Sequence, residues 1–445
     1  MKLNKIEKLN GVLKLPGDKS ISHRAAILAA IAGGVSYLRN YSPSADCTST
    51  LKCVEMLGAR IERQNEVIKI TGCGSNGFTE LKVALDCGNS GTTMRLLAGV
   101  LAGQPLETIL TGDESLSRRP MGRIVEPLEA MGAMISSTDG HAPLRIFGRR
   151  PLMPVKYRLP VASAQVKSAI LLAGLFADGV TTVTEPVPTR DHTELMLPAF
   201  GAKITTRQYE DGKQISVTGG QLSPADIRIP SDISAAAFFL VAAACLPGSE
   251  IRIENVGLNP SRTAILEVLT LAGVDITVSK NRFEGGEPVG DILVKGGLDP
   301  NKSGKPIILS GNIIANLIDE APILAIFGTQ LSGGLEIRNA GELRHKESDR
   351  ITAICNGLRQ MGASIEEFED GFRVGKSRLH GAQIDSHGDH RIAMAFSVAA
   401  LFADGETVIV GAESAAVSFP DFYKRLAELS YPGPQFSLLN DVKSA

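Results

Sequence analysis

The feature that most constrains the fold is one pattern that recurs along the 445-residue chain. Each copy opens with small polar or charged residues, continues as an Ala/Leu-rich run and closes at a glycine. The copies are Asp18–Gly34, Asn89–Gly103, Ser163–Gly179, Ser231–Gly248, Asp319–Gly333 and Asp389–Gly405. They begin roughly 70 to 90 residues apart, which is the size of one supersecondary unit. Because the apolar runs have few polar positions on any face, we predict helices that are buried on all sides.

A second pattern follows five of these segments, where a charged stretch leads to a Leu-rich run, a Gly-Ala or Ala-Gly pair and then alternating apolar residues. Examples are Glu55–Ile61, Leu128–Ile135 and Leu358–Ile365. The glycine is typical of a helix C-terminus, and the alternation is typical of a strand. We therefore predict an α/β fold of six repeated βαβαββ-type units, with buried helices inside and sheets outside.

The six units are predicted to form two domains of three units each, between which the chain exchanges near Asp18 and Pro230. The first domain is predicted to comprise residues 1–18 and 230–445, and the second residues 19–229. An ordinary doubly wound α/β protein with Ala-rich helices is the alternative. The sixfold recurrence weighs against it.

Composition restricts the functional class. The net charge of -2 provides no overall field for nucleic acid or an anionic membrane, so any anion site must be built locally. The six cysteines form no CxxC pair or zinc-type spacing, which indicates reduced core thiols. The N-terminal residues lack the apolar centre of a signal peptide, and Ala235–Pro247 is shorter than the ~20 residues of a membrane-spanning helix. We expect a cytoplasmic protein.

Polar residues cluster at the starts of the apolar helices, where free backbone N–H groups and the helix dipole attract anions. In Gly17–Arg24, Ser20 is the predicted N-cap, Lys19 precedes the helix and points outward, and Arg24 shares a face with Ser20. Such a set suits a phosphate clamp, although a solvated cap with surface charges is the alternative.

Further motifs admit two interpretations each. Gly88–Arg95 permits close backbone approach to a ligand but is neither a Walker motif nor a dinucleotide fingerprint, so a nucleotide cofactor is not supported. Ser115–Pro120 and Thr189–His192 carry loop arginines that singly suit surface ion pairs. Lys346–Arg350 alone favours exposed salt bridges within one helical turn. His387–Arg391 resembles a metal cluster, but matching ligands are missing and Arg391 would repel a cation, which leaves a capping Asp or an anion clamp.

The shared position of these groups in the repeat favours ligands that carry phosphates and carboxylates. Asp319 and Glu347 lie among the cations and are candidates for proton transfer. Carboxylates surrounded by cations normally stay ionised, which suits a base.

Six motifs together resemble the 3-phosphoshikimate 1-carboxyvinyltransferase family over nearly the whole chain: LPGDKSISHR at Leu15, GNSGTT at Gly88, SAQVKS at Ser163, RDHTE at Arg190, KESDR at Lys346 and DHRIAM at Asp389. The resemblance implies a two-domain inside-out α/β barrel with its active site in the cleft between the domains. It also implies no metal and no organic cofactor. We expect a monomer that binds neither nucleic acid nor membrane.

The resemblance also implies the ligand contacts. Shikimate 3-phosphate is expected at Lys19, Ser20, Arg24, Ser163, the Ala164 backbone, Gln165, Arg190, Asp319 and Lys346. Phosphoenolpyruvate is expected at Lys19, Asn89, Gly91, Arg119, Gln165, Arg350 and Arg391. Asp319 is the expected base for the sugar hydroxyl, and Glu347 and Lys19 are expected to handle the methylene proton. Gly91 is the position where sensitivity to glyphosate is expected to be decided.

Two rivals remain. The related enzyme that transfers enolpyruvyl to UDP-N-acetylglucosamine typically has Asn after the first Lys and a reactive Cys near position 115, where this chain has Ser20 and Ser115. A catalytically silent anion-binding scaffold of the same fold is the other, and only turnover excludes it.

Overall fold

The computed structural model describes residues 1–74, 77–298, 304–431 and 436–437. It is a mixed α/β fold that divides into two compact units. The first unit contains Met1–Leu15, Ser231–Arg282 and Pro288–Ala445, and the second contains Pro16–Pro230 and Phe283–Glu287. The short segment Phe283–Glu287 is the tip of a hairpin whose strands otherwise belong to the first unit, and the sequence pattern did not indicate this third exchange.

The second unit contains three four-stranded sheets among its described residues, all with one topology. In each sheet the first two strands are parallel and the other neighbours antiparallel. The strand orders are Asp226–Arg228, Gly33–Arg39, Val67–Cys73, Arg60–Gln64; Leu85–Asp86, Glu107–Thr111, His141–Phe147, Met134–Thr138; and Lys156–Arg158, Val180–Glu185, Gly212–Thr218, Ile204–Tyr209. Val183 lies opposite Ile215 and both are buried, so this register turns one face of the sheet to the core.

The first unit contains two four-stranded sheets and one five-stranded sheet within the described ranges. Their strand orders are Ile307–Leu309, Leu335–Ile337, Gly371–Val374, Ile365–Phe368; Gln383–Asp385, Thr407–Val410, Lys2–Leu3, Phe436–Ser437; and Asp275–Glu284, Glu287–Lys295, Glu250–Gly257, Lys8–Lys14, Ser430–Tyr431. Strand Lys8–Lys14 pairs in parallel with Glu250–Gly257, which joins the start of the chain to the part that follows the second unit.

Helices lie in all six segments where the Ala/Leu-rich runs predicted them, and this prediction is confirmed. They are Lys19–Ile31, Gly91–Ala102 and Ala164–Gly174 in the second unit, and Ile233–Cys245, Ala321–Gly328 and His390–Ala400 in the first. Every residue from Ile233 to Ala244 is buried, as a run without a polar face requires.

Eight further α-helices and four 3₁₀ helices lie within the described residues. The α-helices are Ala45–Met56, Glu114–Ser117, Gly122–Ala130, His192–Met196, Ala264–Leu271, Ile314–Leu317, Arg350–Gln360 and Phe422–Leu429. The 3₁₀ helices are Leu197–Phe200, Gly311–Ile313, Gly341–His345 and Ala412–Val417.

Glycines end helices at the predicted positions. Gly132 follows Gly122–Ala130 with φ 98°, and Gly362 follows Arg350–Gln360 with φ 81°. This left-handed backbone favours glycine, which has no Cβ to clash. Strands Met134–Thr138 and Ile365–Phe368 come next, so the predicted order of helix, glycine and strand is confirmed there.

No single helix in the described part of the chain is both long and apolar enough to cross a membrane. The helical segments Gly311–Leu317 and Ala321–Gly328 are together long and apolar enough, but the chain bends by 106° between them. All of Ala321–Gly328 is buried, and its apolar side chains lie in the core of the first unit.

Candidate active site

The helix Lys19–Ile31 begins at Asp18, whose carboxylate accepts a hydrogen bond from the Ile21 N–H at 2.9 Å. The prediction that Ser20 caps this helix, with Lys19 ahead of it, is therefore wrong. Asp and Ser cap about equally well, but a carboxylate adds attraction to the positive end of the helix dipole. Lys19 lies in the first turn, and its Nζ lies 2.9 Å from Asp46 Oδ2, so the ammonium group is held at the helix start.

Arg24 is buried, and its guanidinium donates three hydrogen bonds. Its Nη1 donates to the Ser20 carbonyl at 2.8 Å, its Nε to Thr193 Oγ1 at 2.7 Å and its Nη2 to Ser168 Oγ at 2.8 Å. Burial and, to a smaller extent, the nearby charge of Arg190 lower the pKa of Arg24 to about 10, although the carboxylates of Glu194 and Asp18 act in the opposite direction. The guanidinium stays charged at neutral pH, and the structure brings Ser20, Arg24 and Arg190 into one neighbourhood.

A second group surrounds the start of the helix Gly91–Ala102, which Ser90 caps. Arg119 is buried, and its Nη2 donates to Asn89 Oδ1 at 2.7 Å. Asn89 in turn donates through Nδ2 to Asp113 Oδ2 at 2.7 Å. These bonds orient the amide and the guanidinium that the family resemblance assigns to phosphoenolpyruvate.

Arg95 is the last residue of the motif Gly88–Arg95, and no role for it was predicted from the sequence. Its Nη1 donates to Gln165 Oε1 at 2.7 Å, and Gln165 Nε2 donates to Thr92 Oγ1 at 2.9 Å. A Cβ added at Gly91 would lie 2.6 Å from Arg95 Nη1 and 3.5 Å from Arg119 Nη1. The i,i+4 spacing of Gly91 and Arg95 on one helix face was the signal that could have found this residue.

The third helix start in the second unit is that of Ala164–Gly174, where Ser163 Oγ accepts from the Val166 N–H at 3.4 Å. The group at Lys19 and the group at Asn89 are joined because Thr93 Oγ1 donates to the Asp46 carbonyl at 3.5 Å. The unit thus brings together three helix starts with the predicted residues Lys19, Ser20, Arg24, Asn89, Gly91, Arg119, Ser163, Ala164, Gln165 and Arg190. The positive ends of the helix dipoles and the cations there favour an anionic ligand.

In the first unit the predicted residues gather around Arg350, whose side chain is 1% exposed. Its Nε lies 2.8 Å from Asp389 Oδ2, its Nη2 2.6 Å from Glu347 Oε2 and its Nη1 3.5 Å from Asp319 Oδ1. Burial alone would lower the pKa of Arg350, but the three carboxylates raise it above its ordinary value. The cluster therefore keeps a fixed positive charge.

The i,i+3 salt bridge that Lys346–Arg350 alone favoured is confirmed between Glu347 and Arg350, but the expectation of an exposed face is wrong, because the Arg350 side chain is 1% exposed. The helix begins only at Arg350, and Asp349 is its N-cap. The buried partner Asp389 lies 39 residues further along the chain. Tertiary packing, which the local spacing does not reveal, decides the burial of this arginine.

Asp389 organises a second arginine as well. It caps the helix His390–Ala400, and its Oδ1 accepts from the Arg391 N–H at 2.8 Å. Arg391 Nη1 donates to the Asp319 carbonyl at 2.7 Å, and its Nη2 lies 3.8 Å from Asp319 Oδ2. The capping interpretation is confirmed for Asp389, and Arg391 is held beside Asp319.

Lys346 belongs to the same electrostatic cluster. Burial lowers its pKa and Arg350 lowers it further, whereas Asp319, Glu347 and Glu342 act in the opposite direction. The first unit thus brings together Asp319, Lys346, Glu347, Arg350 and Arg391. Among the described residues, no group of three or more His, Cys, Asp or Glu side chains could hold a metal ion.

Comparison with known proteins identifies the family. The family model described as EPSP synthase (3-phosphoshikimate 1-carboxyvinyltransferase) matches residues 3–426. Proteins named 3-phosphoshikimate 1-carboxyvinyltransferase are similar, from Koribacter versatilis at 51% identity over 94% of this chain and 96% of theirs, and from Geobacillus kaustophilus at 48% over 95% and 98%. A solved EPSP synthase from Acinetobacter baumannii superposes with a TM-score of 0.84 at 43% identity, covering 96% of this chain and 97% of that one. The chain belongs to the EPSP synthase (3-phosphoshikimate 1-carboxyvinyltransferase) family.

Proposed function

We propose that this transferase moves the enolpyruvyl group of phosphoenolpyruvate to the 5-hydroxyl of shikimate 3-phosphate and releases phosphate, a step of the shikimate pathway to aromatic amino acids. Family membership supports the reaction. The observation that carries it in the chain's own residues is the buried Arg350, with Asp319, Glu347 and Arg391 around it. A cation and two candidate proton-transfer groups within one cluster are what addition to an anionic enol requires.

We assign the shikimate 3-phosphate contacts to Lys19, Ser20, Arg24, Ser163, Ala164, Gln165, Arg190, Asp319 and Lys346. Arg24 supports this assignment because its hydrogen bonds orient it beside the charge of Arg190. Two guanidinium groups bind a phosphate dianion through paired, charge-assisted hydrogen bonds.

The phosphoenolpyruvate contacts are assigned to Lys19, Asn89, Gly91, Arg119, Gln165, Arg350 and Arg391. Arg350 and Arg391 are held before any ligand arrives, one by three carboxylates and the other by the Asp319 carbonyl. Preorganised cations stabilise charge that develops on carboxylate and phosphate oxygens without further reorganisation.

In the addition step, Asp319 accepts the proton of the 5-hydroxyl as that oxygen bonds to C2 of phosphoenolpyruvate. The guanidinium groups of Arg350 and Arg391 beside Asp319 favour the ionised carboxylate, which suits a base. The methylene carbon takes a proton from Glu347 or Lys19 and becomes a methyl group. Glu347 contacts Arg350 at 2.6 Å, which favours its ionised form, so this role requires Glu347 to take up a proton before it donates one.

In the elimination step, the tetrahedral ketal loses its C–O bond to phosphate, and a methyl proton returns to the group that supplied it. The enol double bond is thereby restored on the new ether. Every proton moved in the addition is returned or leaves with phosphate, so the chemistry requires no redox partner. The residues act only through proton transfer and charge.

We extend the proposal to the architecture and cellular setting. Each of the five four-stranded sheets described has one parallel strand pair followed by two antiparallel pairs. This shared order supports a repeated unit and an inside-out α/β barrel. That the two residue clusters form one active site in a cleft stays a prediction, which small-angle scattering with and without both substrates tests through ligand-driven compaction. A cytoplasmic monomer without nucleic-acid or membrane partners likewise stays a prediction.

Calorimetric titration tests the binding assignments. Arg24→Met is expected to abolish measurable shikimate 3-phosphate binding, whereas Arg391→Met is expected to retain it and to weaken phosphoenolpyruvate binding in the binary complex. Arg373→Met removes an arginine whose side chain is 55% exposed and serves as the matched control. Unchanged shikimate 3-phosphate affinity in Arg24→Met would contradict the assignment.

A further inference from the structure

A buried ion cluster in the second unit lies beside the predicted substrate contacts but includes none of them. Lys167 Nζ lies 2.9 Å from Glu185 Oε2 and 2.7 Å from Glu194 Oε1. The side chains of Lys167 and Glu185 are both 0% exposed, and that of Glu194 is 5% exposed. One cation and two carboxylates are thus removed from water together.

The cluster contacts the loop that carries Arg190. Glu185 Oε2 accepts from the Thr189 N–H at 3.2 Å and from Thr189 Oγ1 at 2.7 Å. Lys167 Nζ donates to the Thr189 carbonyl at 3.5 Å. Both polar groups of the Thr189 backbone and its hydroxyl are therefore held, and the next residue is Arg190.

Lys167 is also tied to a helix start that carries predicted ligands. Its backbone N–H donates to the Ser163 carbonyl at 3.1 Å, one turn below the N-cap of Ala164–Gly174. The next residue, Ser168, accepts from Arg24 Nη2 at 2.8 Å. One helical turn therefore connects the loop of Arg190, the guanidinium of Arg24 and the N-cap Ser163.

Stability is a weak reason for such a cluster. Replacing a buried ion pair with well-packed apolar residues is often neutral or stabilising, whereas its hydrogen bonds fix neighbouring groups in one geometry. An unpaired carboxylate near a phosphate site would also repel the ligand. The ammonium group of Lys167 compensates the charges of Glu185 and Glu194, so that Glu185 can remain ionised and accept the hydrogen bonds of Thr189.

We propose that Lys167 is a positioning residue which, through Glu185, fixes the Thr189–Arg190 loop so that Arg190 meets the phosphate of shikimate 3-phosphate. The inference rests on the proposed function, because it takes shikimate 3-phosphate as the ligand of Arg190. It adds a residue that contacts no substrate itself and acts on the affinity for one substrate only.

Steady-state kinetics of Thr189→Val give the cleanest test, because this nearly isosteric change removes one hydrogen bond and leaves all three charges paired. We expect the KM for shikimate 3-phosphate to rise about tenfold, the equivalent of one hydrogen bond to a charged group. The KM for phosphoenolpyruvate, kcat and the thermal midpoint are expected to stay near wild type.

Lys167→Met and Glu194→Gln separate positioning from general structural damage. Lys167→Met is expected to raise the KM for shikimate 3-phosphate at least tenfold, because it frees Glu185 and leaves carboxylates uncompensated. Glu194 pairs with Lys167, but the hydrogen bonds of Thr189 are made with Lys167 and Glu185. Glu194→Gln is therefore expected to leave the KM for shikimate 3-phosphate unchanged or to lower it. Lys69→Met, which removes a lysine paired with Glu62 in the same unit, is the control.

The outcomes distinguish the inference from the proposed function. Folded Thr189→Val and Lys167→Met enzymes with the wild-type KM for shikimate 3-phosphate would overturn the inference alone. Equal increases in both KM values would also overturn it, because they indicate general damage. A wild-type enzyme that neither binds nor turns over shikimate 3-phosphate would refute the proposed function, and the inference with it.

Discussion

The carboxylate of Asp389 is expected to hold the first unit's cluster together, and Asp389→Asn tests this directly. The carboxylate accepts four hydrogen bonds, from Arg350 Nε at 2.8 Å, Arg350 Nη2 at 3.3 Å, the Arg391 N–H at 2.8 Å and Ser348 Oγ at 3.2 Å. Asn keeps the shape and caps a helix about as well as Asp. The substitution therefore removes mainly the charge that faces Arg350.

The expected magnitude follows from the burial of both partners. The Arg350 side chain is 1% exposed and that of Asp389 0%, so water cannot replace the lost carboxylate. Removing one partner of a buried pair typically costs about 3–5 kcal/mol. Because Glu347 and Asp319 still face Arg350, we expect the lower end, about 3 kcal/mol in the free energy of unfolding.

Urea denaturation followed by circular dichroism measures this loss, with separate transitions fitted if the two units unfold independently. Asp404→Asn is the matched control, because Asp404 pairs with Arg378 and Lys5, whose side chains are 89% and 57% exposed, and little change is expected there. The KM for phosphoenolpyruvate should also rise in Asp389→Asn, since the assigned Arg350 loses its buried carboxylate partner. If Asp389→Asn unfolded at the same urea concentration as Asp404→Asn, the buried-pair reasoning would be refuted.

Three further predictions concern Gly91, Asp319 and the pKa of Asp389. Glyphosate is expected to inhibit competitively with phosphoenolpyruvate, and Gly91→Ala should raise its inhibition constant because the new Cβ displaces Arg95. Gly122→Ala is the control, since a Cβ at Gly122 meets open space and should leave the inhibition constant unchanged. An unchanged inhibition constant in Gly91→Ala would refute this steric explanation. Asp319→Asn should lower kcat by about 10²–10⁴-fold in stopped assays of phosphate release, and full turnover would remove its role as base. Burial raises the pKa of Asp389, but the charge of Arg350 outweighs this effect and lowers the pKa below 3.8. The carboxylate therefore stabilises the fold above pH 3.8, and this stabilisation is lost as the pH falls through the pKa of the folded state. Acid titration should reduce the difference in the free energy of unfolding between wild type and Asp389→Asn, and a constant difference would contradict this.

Sequence periodicity was sufficient for the helices because their signal is local. An apolar run such as Ile233–Cys245 must be buried wherever it forms a helix, and a glycine such as Gly132 ends a helix through its own backbone angles. The cap at Asp18 was missed because Asp and Ser have similar preferences and lie two residues apart. The hairpin tip Phe283–Glu287 was missed because packing between distant segments has no local pattern.

The site residues that belong to a sequence motif could be predicted, whereas the environment that distant residues create around them could not. The resemblance identified Arg350, but its spacing indicated an exposed pair, since the distant Asp389 that buries it is invisible to i,i+3 and i,i+4 analysis. Lys167 gave no signal either, because a single lysine in an apolar run is read as a helix position and not as the partner of Glu185 and Glu194.

The acceptor of the enolpyruvyl group is identified by measuring phosphate release from phosphoenolpyruvate in the presence of either shikimate 3-phosphate or UDP-N-acetylglucosamine. We predict release with shikimate 3-phosphate only. Release with UDP-N-acetylglucosamine would contradict the acceptor assignment while retaining the enolpyruvyl chemistry, and release with neither would identify a silent anion-binding scaffold.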